Sequence, residues 1–147
     1  IVDVSHLSDG GFWNVVRHSK KTVVASHSNA RALCPHPRNL TDEMIRVLAE
    51  NGGIAGINFY PWFLNGSANA AICDIIRHMI HMYRVGGEEV VAIGTDFDGF
   101  DDGVNEIRDI GQMPLLYEAV KKQGFTERQM EKFWCGNALR VIKENLR

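Results

Sequence analysis

The sequence has few cysteines, no long apolar run and no excess of basic charge. Its three cysteines, Cys34, Cys73 and Cys135, are far apart and form no CxxC pair. This argues against a disulfide framework and a cysteine-based zinc site, and it favours a reducing, cytoplasmic compartment. No apolar run approaches the roughly 18 residues that a membrane-spanning helix needs. The net charge is −2 and the basic residues are scattered, so the sequence gives no sign of a nucleic-acid partner.

An initiator methionine and a polar leader are also missing, because the sequence starts with the apolar Ile1. We therefore expect that a natural N-terminal part precedes it, and a signal peptide or an anchor signal could lie there. The 147 residues, of which 45% are hydrophobic, are about one domain's worth and can bury a sizeable core.

Four short apolar segments alternate with helical patterns along the chain. The predicted strands cover residues 1–5, 23–26, 54–59 and 90–94. The predicted helices are a short one capped by Ser8 or Asp9, then 42–51, 69–85, 114–123, a segment opened by a capping box at Thr126, and 138–145. Gly136-Asn137 predicts a break between the last two, and residues 60–63 predict an aromatic loop.

Nearly continuous apolar strands separated by helices predict an α/β fold with a parallel sheet. Two architectures fit this pattern: a small doubly wound domain, or four βα units forming about half of a (β/α)8 TIM-like barrel. A whole barrel takes roughly 250 residues, so four units in 147 residues match half of one. Such a half would leave two open strand edges and would need its other half.

Every predicted strand has polar residues at its end or just after it: His6, His27, Asn58 with Tyr60, and Asp96 with Asp98. Parallel strands place these ends on one face, where α/β enzymes keep their sites. Neighbouring strands lie about 4.8 Å apart and imidazoles bind zinc at roughly 2.1 Å. His6 and His27 could therefore ligate one metal ion or two adjacent ions, although each could instead be a structural histidine. A zinc site needs three or four protein ligands, so further ligands are expected from the absent half.

Arg38 is the sharpest candidate outside the metal site, because it follows the rigid Pro35-His36-Pro37 segment. A guanidinium there could grip a carboxylate or polarise a carbonyl with paired hydrogen bonds. The alternative is a surface arginine that closes the loop. The aromatic residues 60–63 could likewise wall a pocket or cap the core.

Other polar patterns carry no predicted site. Ser26-His27 is not a catalytic couple, because adjacent strand residues face opposite ways and no GxSxG elbow exists. Residues 96–111, rich in Asp and Gly, predict a loop, and its acidic run 96–103 fails the spacing of an EF-hand loop. Three histidines lie on predicted helices and are expected to be solvated: His18, His78 and His81.

Six short motifs are distributed over essentially the whole chain. They are DVSH at 3–6, SHSNAR at 26–31, RNLTD at 38–42, NFY at 58–60, GTDFDG at 94–99 and GNALRV at 136–141. The 21-residue gap from His6 to His27 and the 11-residue gap from His27 to Arg38 fit the same pattern. In combination these motifs resemble the membrane (renal-type) dipeptidase family, the metallopeptidases of family M19.

The resemblance implies a βα barrel with a binuclear zinc site that hydrolyses dipeptides, of which residues 1–147 would form the C-terminal half. His6 and His27 would both bind one of the two zinc ions. The family's His-x-Asp ligand pair, its metal-bridging Glu and a third histidine that contacts substrate belong to the N-terminal half. The chain alone is therefore expected to be inactive.

The resemblance also implies roles on the substrate side of the site. Arg38 would hold the substrate's carboxylate or polarise the oxyanion, and Asn39 and Tyr60 would assist in binding. Asp96 would be the acid/base residue or hold the substrate's amino end. Some relatives place a tyrosine near position 63, where Phe63 offers packing but no hydrogen bond.

The expected partners are a dipeptide substrate, the N-terminal half of the same barrel and, as a further option, a second copy in a homodimer. Two alternatives to the dipeptidase stay open. One is a related amidohydrolase barrel that acts on another amide or a lactone. The other is an inactive fragment or pseudoenzyme whose histidines no longer meet a full set of ligands.

Overall fold

The computed structural model describes residues 1–101 and 104–146 of the chain. Short strands alternate with helices in the order β1 (Val2–Asp3), α1 (Asp9–His18), β2 (Val23–Val24), α2 (Asp42–Glu50), β3 (Ala55–Ile57), α3 (Pro61–Leu64), β4 (Asn69–Ala70), α4 (Ile72–Gly86), β5 (Val91–Ile93), β6 (Val104–Asn105), α5 (Met113–Lys121), α6 (Glu127–Glu131) and α7 (Asn137–Asn145). A 3-10 helix (Ile110–Gln112) precedes α5, and a π-helical segment (Lys132–Gly136) joins α6 to α7.

Four of the strands lie side by side in chain order. β1 pairs with β2 and β3 pairs with β5, in both cases in parallel. A parallel bridge between Ala25 and Ala55 joins the two pairs. The carboxyl ends of β1, β2, β3 and β5 therefore face the same edge. This confirms the predicted alternation of parallel strands and helices, and it brings the polar residues after the strands to one side of the sheet.

The strands are shorter than predicted, because the polar residues at their ends make other hydrogen bonds than those of a sheet. After β1, the backbone N–H of Ser5 donates to Asp3 Oδ1 at 3.0 Å. The N–H of Ser26, just after β2, donates to the same oxygen at 3.0 Å. His6 has a φ of 72°, which ends the extended backbone before the predicted helix begins.

The core lies between the strands and the helices that follow them. The buried strand residues are Val23, Val24, Ala25, Ala55, Ile57, Val91 and Ala92. α2 and α4 pack against each other over this layer and bury Met44, Ile45, Leu48, Ile75, Ile76, Met79 and Met82. In the part of the chain that the structure describes, none of the helices combines the length and the apolarity needed to cross a membrane.

The predicted start of the helix over residues 69–85 is wrong. Residues 69–70 form β4, which pairs in parallel with β6, and α4 begins at Ile72. The Asp74 carboxylate accepts the N–H of Ala71 at 3.0 Å, and the Glu106 carboxylate accepts the N–H of Ile72 at 2.9 Å. These bonds pair the backbone N–H groups at the start of α4, so the helix begins at Ile72 and not at Asn69. The loop predicted over residues 96–111 contains the strand β6, and its residues 102–103 lie outside the described part.

The predicted break at Gly136-Asn137 is also wrong, since α6, the π-helical segment and α7 follow one another without interruption. The Asn137 side chain is buried and donates to the backbone oxygens of Glu88 at 2.7 Å and Val91 at 2.8 Å. It therefore fastens the helix to β5 instead of ending it. The predicted capping box at Thr126 is confirmed, because Thr126 and Gln129 exchange hydrogen bonds in both directions.

Three further predictions need correction. The side chains of Ser26 and His27, predicted to face opposite ways as adjacent strand residues, are in contact, with Ser26 Oγ 2.8 Å from His27 Nδ1. The reason is that β2 ends at Val24, so neither residue lies on a strand. The aromatic loop predicted over residues 60–63 is wrong for residues 61–63, which belong to the short helix α3 (Pro61–Leu64) with Pro61 at its start. His78, predicted to be solvated, is 1% exposed. His81 is partly exposed and pairs with Asp42 at 2.7 Å, and His18 is exposed as predicted.

Candidate functional site

The structure brings His6 and His27 together at the carboxyl edge of the sheet. His6 lies in the turn after β1, and His27 follows β2 by three residues. Their Nε2 atoms are 2.8 Å apart, with the rings inclined at 61°. His6 is exposed and His27 is partly buried. The two ring nitrogens thus approach one point in space, as the strand-end spacing predicts.

This donor set fits part of a metal site. Two nitrogens that each lie about 2.1 Å from one tetrahedral zinc ion are about 3.4 Å apart, so the observed 2.8 Å needs only a small separation of the rings. Among residues 1–101 and 104–146, the structure shows no group of three or more His, Cys, Asp or Glu side chains that could hold a metal ion. His6 and His27 can therefore supply two ligands, and a complete site needs others.

Arg38 is held at the end of a rigid loop with its guanidinium partly desolvated. Its backbone N–H donates to His36 Nδ1 at 3.1 Å, and its guanidinium carbon lies 5.5 Å from the centre of the Phe63 ring. Its Nη2 atom is buried and has no hydrogen-bond partner among the described residues. An unpaired buried donor is costly unless a further group accepts from it, so Arg38 offers a vacant donor for an anion.

The loop that carries Arg38 is fastened by Arg31. The guanidinium of Arg31 donates to the backbone oxygens of Asn39 at 2.7 Å and Pro37 at 3.0 Å. Two more of its N–H groups grip both carboxylate oxygens of Asp9, each at 2.7 Å. Because Asp9 begins α1, three residues after His6, Arg31 ties the position of Arg38 to that of the first histidine.

The side chain of Asn39, a predicted substrate contact, is engaged within the same loop. It is 1% exposed, and its Nδ2 donates to the backbone oxygens of Cys34 at 2.9 Å and Phe63 at 2.8 Å. Its Oδ1 is buried and unpaired among the described residues. The observed contacts join the Arg38 loop to α3, while the substrate contact stays a prediction.

Asp96 lies after β5 and is oriented by a buried asparagine. Its φ is 60°, and its Oδ2 accepts a hydrogen bond from Asn58 Nδ2 at 3.0 Å. Asn58 is completely buried, and the side chain of Asn29 holds its backbone. The Asn58 N–H donates to Asn29 Oδ1 at 3.0 Å, and the Asn58 backbone oxygen accepts from Asn29 Nδ2 at 2.8 Å. The Asn58 Oδ1 accepts the N–H of Tyr60 at 2.7 Å. One buried side chain therefore positions both Asp96 and the start of the aromatic segment.

Tyr60 belongs to a continuous row of rings beside Arg38. Its ring centre is 4.8 Å from that of Phe63 and 5.1 Å from that of Phe100. His36 packs on Phe63 at 4.5 Å between ring centres. These rings come from the segments that follow β2, β3 and β5, so they form an aromatic wall along the edge that carries the polar residues.

The charges of the site act on one another. Burial lowers the pKa of His27; the negative charge of Asp96 opposes this shift, and the positive charges of Arg38 and His6 add to it. Burial also lowers the pKa of Arg38, against the opposing charges of Asp96 and Asp3. The carboxylate of Asp96 thus lies within electrostatic reach of both the histidine pair and the guanidinium.

Sequence reasoning assigned no role to three residues that build this site. Arg31 and Asn29 stand in the SHSNAR motif, and Asn58 stands in NFY, so a signal was present. Their roles could not be assigned because each acts on a group far along the chain: Asn29 on the backbone of Asn58, Asn58 on the carboxylate of Asp96, and Arg31 on that of Asp9. No local pattern indicates such partners. His78 lies three residues after Ile75 and four before Met82, and this helical spacing places it on the buried face of α4.

Comparisons with known proteins found a family, curated relatives and solved structures that resemble this chain. The family model of membrane dipeptidases, peptidase family M19, matches residues 1–146. An uncharacterised Klebsiella pneumoniae protein from the pqqA 5' region is 37% identical over 146 residues, which are 97% of this chain and 54% of that protein. An uncharacterised dipeptidase of Schizosaccharomyces pombe is 35% identical over 147 residues, which are 98% of this chain and 35% of that protein.

A solved structure shares the fold closely. It is a metallopeptidase from Rhodobacter sphaeroides liganded with a phosphinate mimic of the dipeptide L-Ala-D-Ala. It superposes with a TM-score of 0.91 at 35% identity, over 97% of this chain and 42% of that chain. This chain therefore spans between about a third and about half of the proteins it matches. It belongs to the membrane dipeptidase family, peptidase family M19.

Proposed function

We propose that this chain is part of a zinc-dependent dipeptidase in which His6 and His27 bind one ion of a binuclear site. The observation that carries the proposal is the approach of the two Nε2 atoms to 2.8 Å at the carboxyl edge of the sheet, in a member of a metallopeptidase family. The other ligands would come from residues outside this sequence. When bound, the two zinc ions would activate a water molecule and polarise the peptide carbonyl.

In this proposal the chain is the C-terminal half of a (β/α)8 barrel. Two facts support it. Strands β1, β2, β3 and β5 are neighbours in chain order and all parallel, as consecutive strands of such a barrel are. In addition, the chain matches 42% of the Rhodobacter sphaeroides metallopeptidase with a TM-score of 0.91. The first half of the barrel would then cover the free edges of β1 and β5.

Arg38 would bind the substrate's carboxylate. Its Nη2 is buried and unpaired, and the Phe63 ring packs against the guanidinium. The guanidinium is therefore already partly desolvated, and a substrate carboxylate can accept from it in a charge-assisted hydrogen bond. Polarising the oxyanion is the second role open to the same group. The dipeptide mimic on the Rhodobacter sphaeroides relative supports a dipeptide with a D-residue at its C-terminal position as a substrate.

Asp96 would move the proton or hold the substrate's amino end. The Asn58 amide occupies one carboxylate oxygen, which leaves the other oxygen to accept from an ammonium group or to transfer a proton to the leaving amine. Tyr60, Phe63 and Phe100 would line the space beside Arg38 and exclude water from the side chains of the dipeptide.

The test uses the protein with its natural flanking sequence. Zinc content and hydrolysis of L,L- and L,D-dipeptides are measured for the wild type, His27→Ala and Asp96→Asn, with His18→Ala as the matched control at an exposed histidine of α1. We expect two zinc ions and turnover in the wild type and in the control. His27→Ala should lose zinc and activity, whereas Asp96→Asn should keep zinc and lose activity about a hundredfold or more.

Two results would overturn the proposal. The first is full zinc content and turnover in His27→Ala, which would remove this histidine from the metal site. The second is turnover that does not depend on zinc. A substrate panel with acylated dipeptides and lactones completes the test, because hydrolysis of these compounds without hydrolysis of free dipeptides would indicate an amidohydrolase of different specificity.

A further inference from the structure

A chain of three side chains runs from Asp3 through Ser26 to His27. The Ser26 hydroxyl lies within hydrogen-bond distance of Asp3 Oδ2 and 2.8 Å from His27 Nδ1. The other oxygen of Asp3 accepts the backbone N–H groups of Ser5 and Ser26, both at 3.0 Å. The three side chains therefore join the end of β1 to the segment after β2, on the side of the His27 ring that faces away from His6.

The chemistry of these groups fixes the direction of each hydrogen bond. An ionised carboxylate can only accept, so the single hydroxyl proton of Ser26 goes to Asp3. The Ser26 oxygen can then only accept from the ring, which requires the proton of His27 to lie on Nδ1. Because a neutral imidazole carries one N–H, the Nε2 atom of His27 is left with a free lone pair.

The contact between the two histidines agrees with this assignment. Their Nε2 atoms are 2.8 Å apart, a distance at which one atom must donate and the other accept. With the lone pair on His27 Nε2, His6 is the donor in the metal-free chain. A single arrangement of protons thus satisfies the whole run from Asp3 to His6, and it leaves His27 ready to bind a metal ion through Nε2.

We propose that Asp3, acting through the Ser26 hydroxyl, is a positioning residue that sets the tautomer of His27 and so presents its Nε2 lone pair to the metal. The inference rests on the proposed function, in which His27 is a zinc ligand. Partners that orient a ligating histidine are worth about 10- to 100-fold in metal affinity. The structural alternative is that Asp3 only ties the two strand ends together through the backbone N–H groups of Ser5 and Ser26.

The variant Asp3→Asn separates these two roles. The amide oxygen of asparagine can still accept the two backbone N–H groups, so the tie between the strand ends remains. The amide nitrogen replaces Oδ2 and donates to the Ser26 hydroxyl, which must then direct its own proton at His27 Nδ1. This moves the ring proton to Nε2 and blocks the lone pair. If the amide were flipped, its NH₂ group would face the backbone N–H groups of Ser5 and Ser26, which are also donors. That orientation is therefore disfavoured.

The experiment measures zinc affinity by competition with a chromogenic chelator, in the protein with its natural flanking sequence. We expect Asp3→Asn to weaken zinc binding about 100-fold and Ser26→Ala about 10-fold, whereas Ser26→Thr, which keeps the hydroxyl, should bind almost as the wild type does. The matched control is Ser28→Ala, which removes the same atom from a buried serine two residues along. The second readout is the ring tautomer of His27 in the metal-free protein, measured by ¹⁵N NMR, which should change from Nδ1–H to Nε2–H in Asp3→Asn.

The outcomes distinguish this inference from the function on which it rests. Wild-type zinc affinity in His27→Ala would refute the proposed function. Loss of zinc in His27→Ala, together with wild-type affinity in Asp3→Asn and Ser26→Ala, would refute only the role of Asp3 and Ser26. An unchanged His27 tautomer in Asp3→Asn would refute it as well. Failure of Ser26→Thr to recover the affinity lost in Ser26→Ala would show that the hydroxyl is not the group that matters.

Discussion

The buried histidine on α4 should make the protein lose stability in mild acid. His78 is 1% exposed, and both of its ring nitrogens are used in the neutral form. Nδ1 accepts the backbone N–H of Ala30 at 3.0 Å, and the N–H at Nε2 donates to the backbone oxygen of Leu64 at 2.8 Å. Protonation would place a second N–H against that of Ala30. Burial is the largest cause that lowers the pKa of His78 to about 4, and the hydrogen bond to Leu64 opposes it.

The size of the effect follows from the two pKa values of this histidine. The unfolded chain binds the proton near pH 6.5, and the folded chain binds it near pH 4. Above pH 6.5 the ring is neutral in both states. Between these values only the unfolded chain is protonated, so the free energy of unfolding falls as the pH falls. The difference amounts to about 3 kcal/mol in total and to about 2 kcal/mol by pH 5. Below pH 4 both states are protonated and this contribution no longer changes.

The assay compares urea unfolding of the wild type and His78→Gln between pH 7 and pH 4. Glutamine does not titrate, so the variant should lack this loss of stability, although at pH 7 it should be less stable by about 1–3 kcal/mol because one buried partner stays unpaired. His18→Gln is the control, since it removes an exposed histidine. Parallel curves for the wild type and His78→Gln over this pH range would refute the reasoning.

Two other changes test the supports of the site. Arg31→Lys keeps the charge that faces Asp9 but loses the planar fork that also holds the Arg38 loop, so KM for the dipeptide should rise about tenfold while kcat and zinc content stay near their wild-type values. Gly94→Ala would put a Cβ against the backbone oxygen of Ser26, where no flexible side chain can give way. It should lower the free energy of unfolding by about 3 kcal/mol or more in urea titrations.

Each of these changes has a control within the chain. Arg46→Lys alters an arginine of α2 and should leave KM unchanged. Gly10→Ala adds a Cβ that meets no other heavy atom within 4 Å, so it should leave stability almost unaltered. An unchanged KM in Arg31→Lys, or a Gly94→Ala protein as stable as the wild type, would contradict the corresponding contact.

The order of the four strands β1, β2, β3 and β5 and of the longer helices could be predicted because it is a local property of the sequence. Apolar runs alternate with helical spacing, and side chains such as Thr126 mark helix starts that the structure confirms, with its Oγ1 accepting the N–H of Gln129. The meeting of His6 and His27 follows from the same pattern, since parallel strands bring their ends to one edge. These features need no knowledge of distant contacts.

The features that could not be predicted depend on distant partners. Asn69 lies in a polar stretch with no strand signal, and it pairs with Val104 only because the fold brings the loops after β3 and β5 together. Gly136-Asn137 has the composition of a helix end, yet the carbonyl groups next to β5 accept from Asn137 and keep the helix continuous. The local preference is real in both cases, and a contact far along the chain outweighs it.

Two residues of the candidate site have a strained backbone conformation. Among the described residues other than glycine, positive φ angles occur at His6 (72°) and Asp96 (60°), and each costs about 1–2 kcal/mol in an ordinary side chain. Both are residues that sequence reasoning placed in the site. Each is held by bonds that fix the strained conformation: the N–H of Leu7 donates to Val4 at 3.0 Å across the turn at His6, and the N–H of Gly99 donates to Asp96 at 2.9 Å. Because these bonds lie within the chain itself, in the proposed site they would aim the imidazole of His6 and the carboxylate of Asp96 and would spare the reaction that reorganisation.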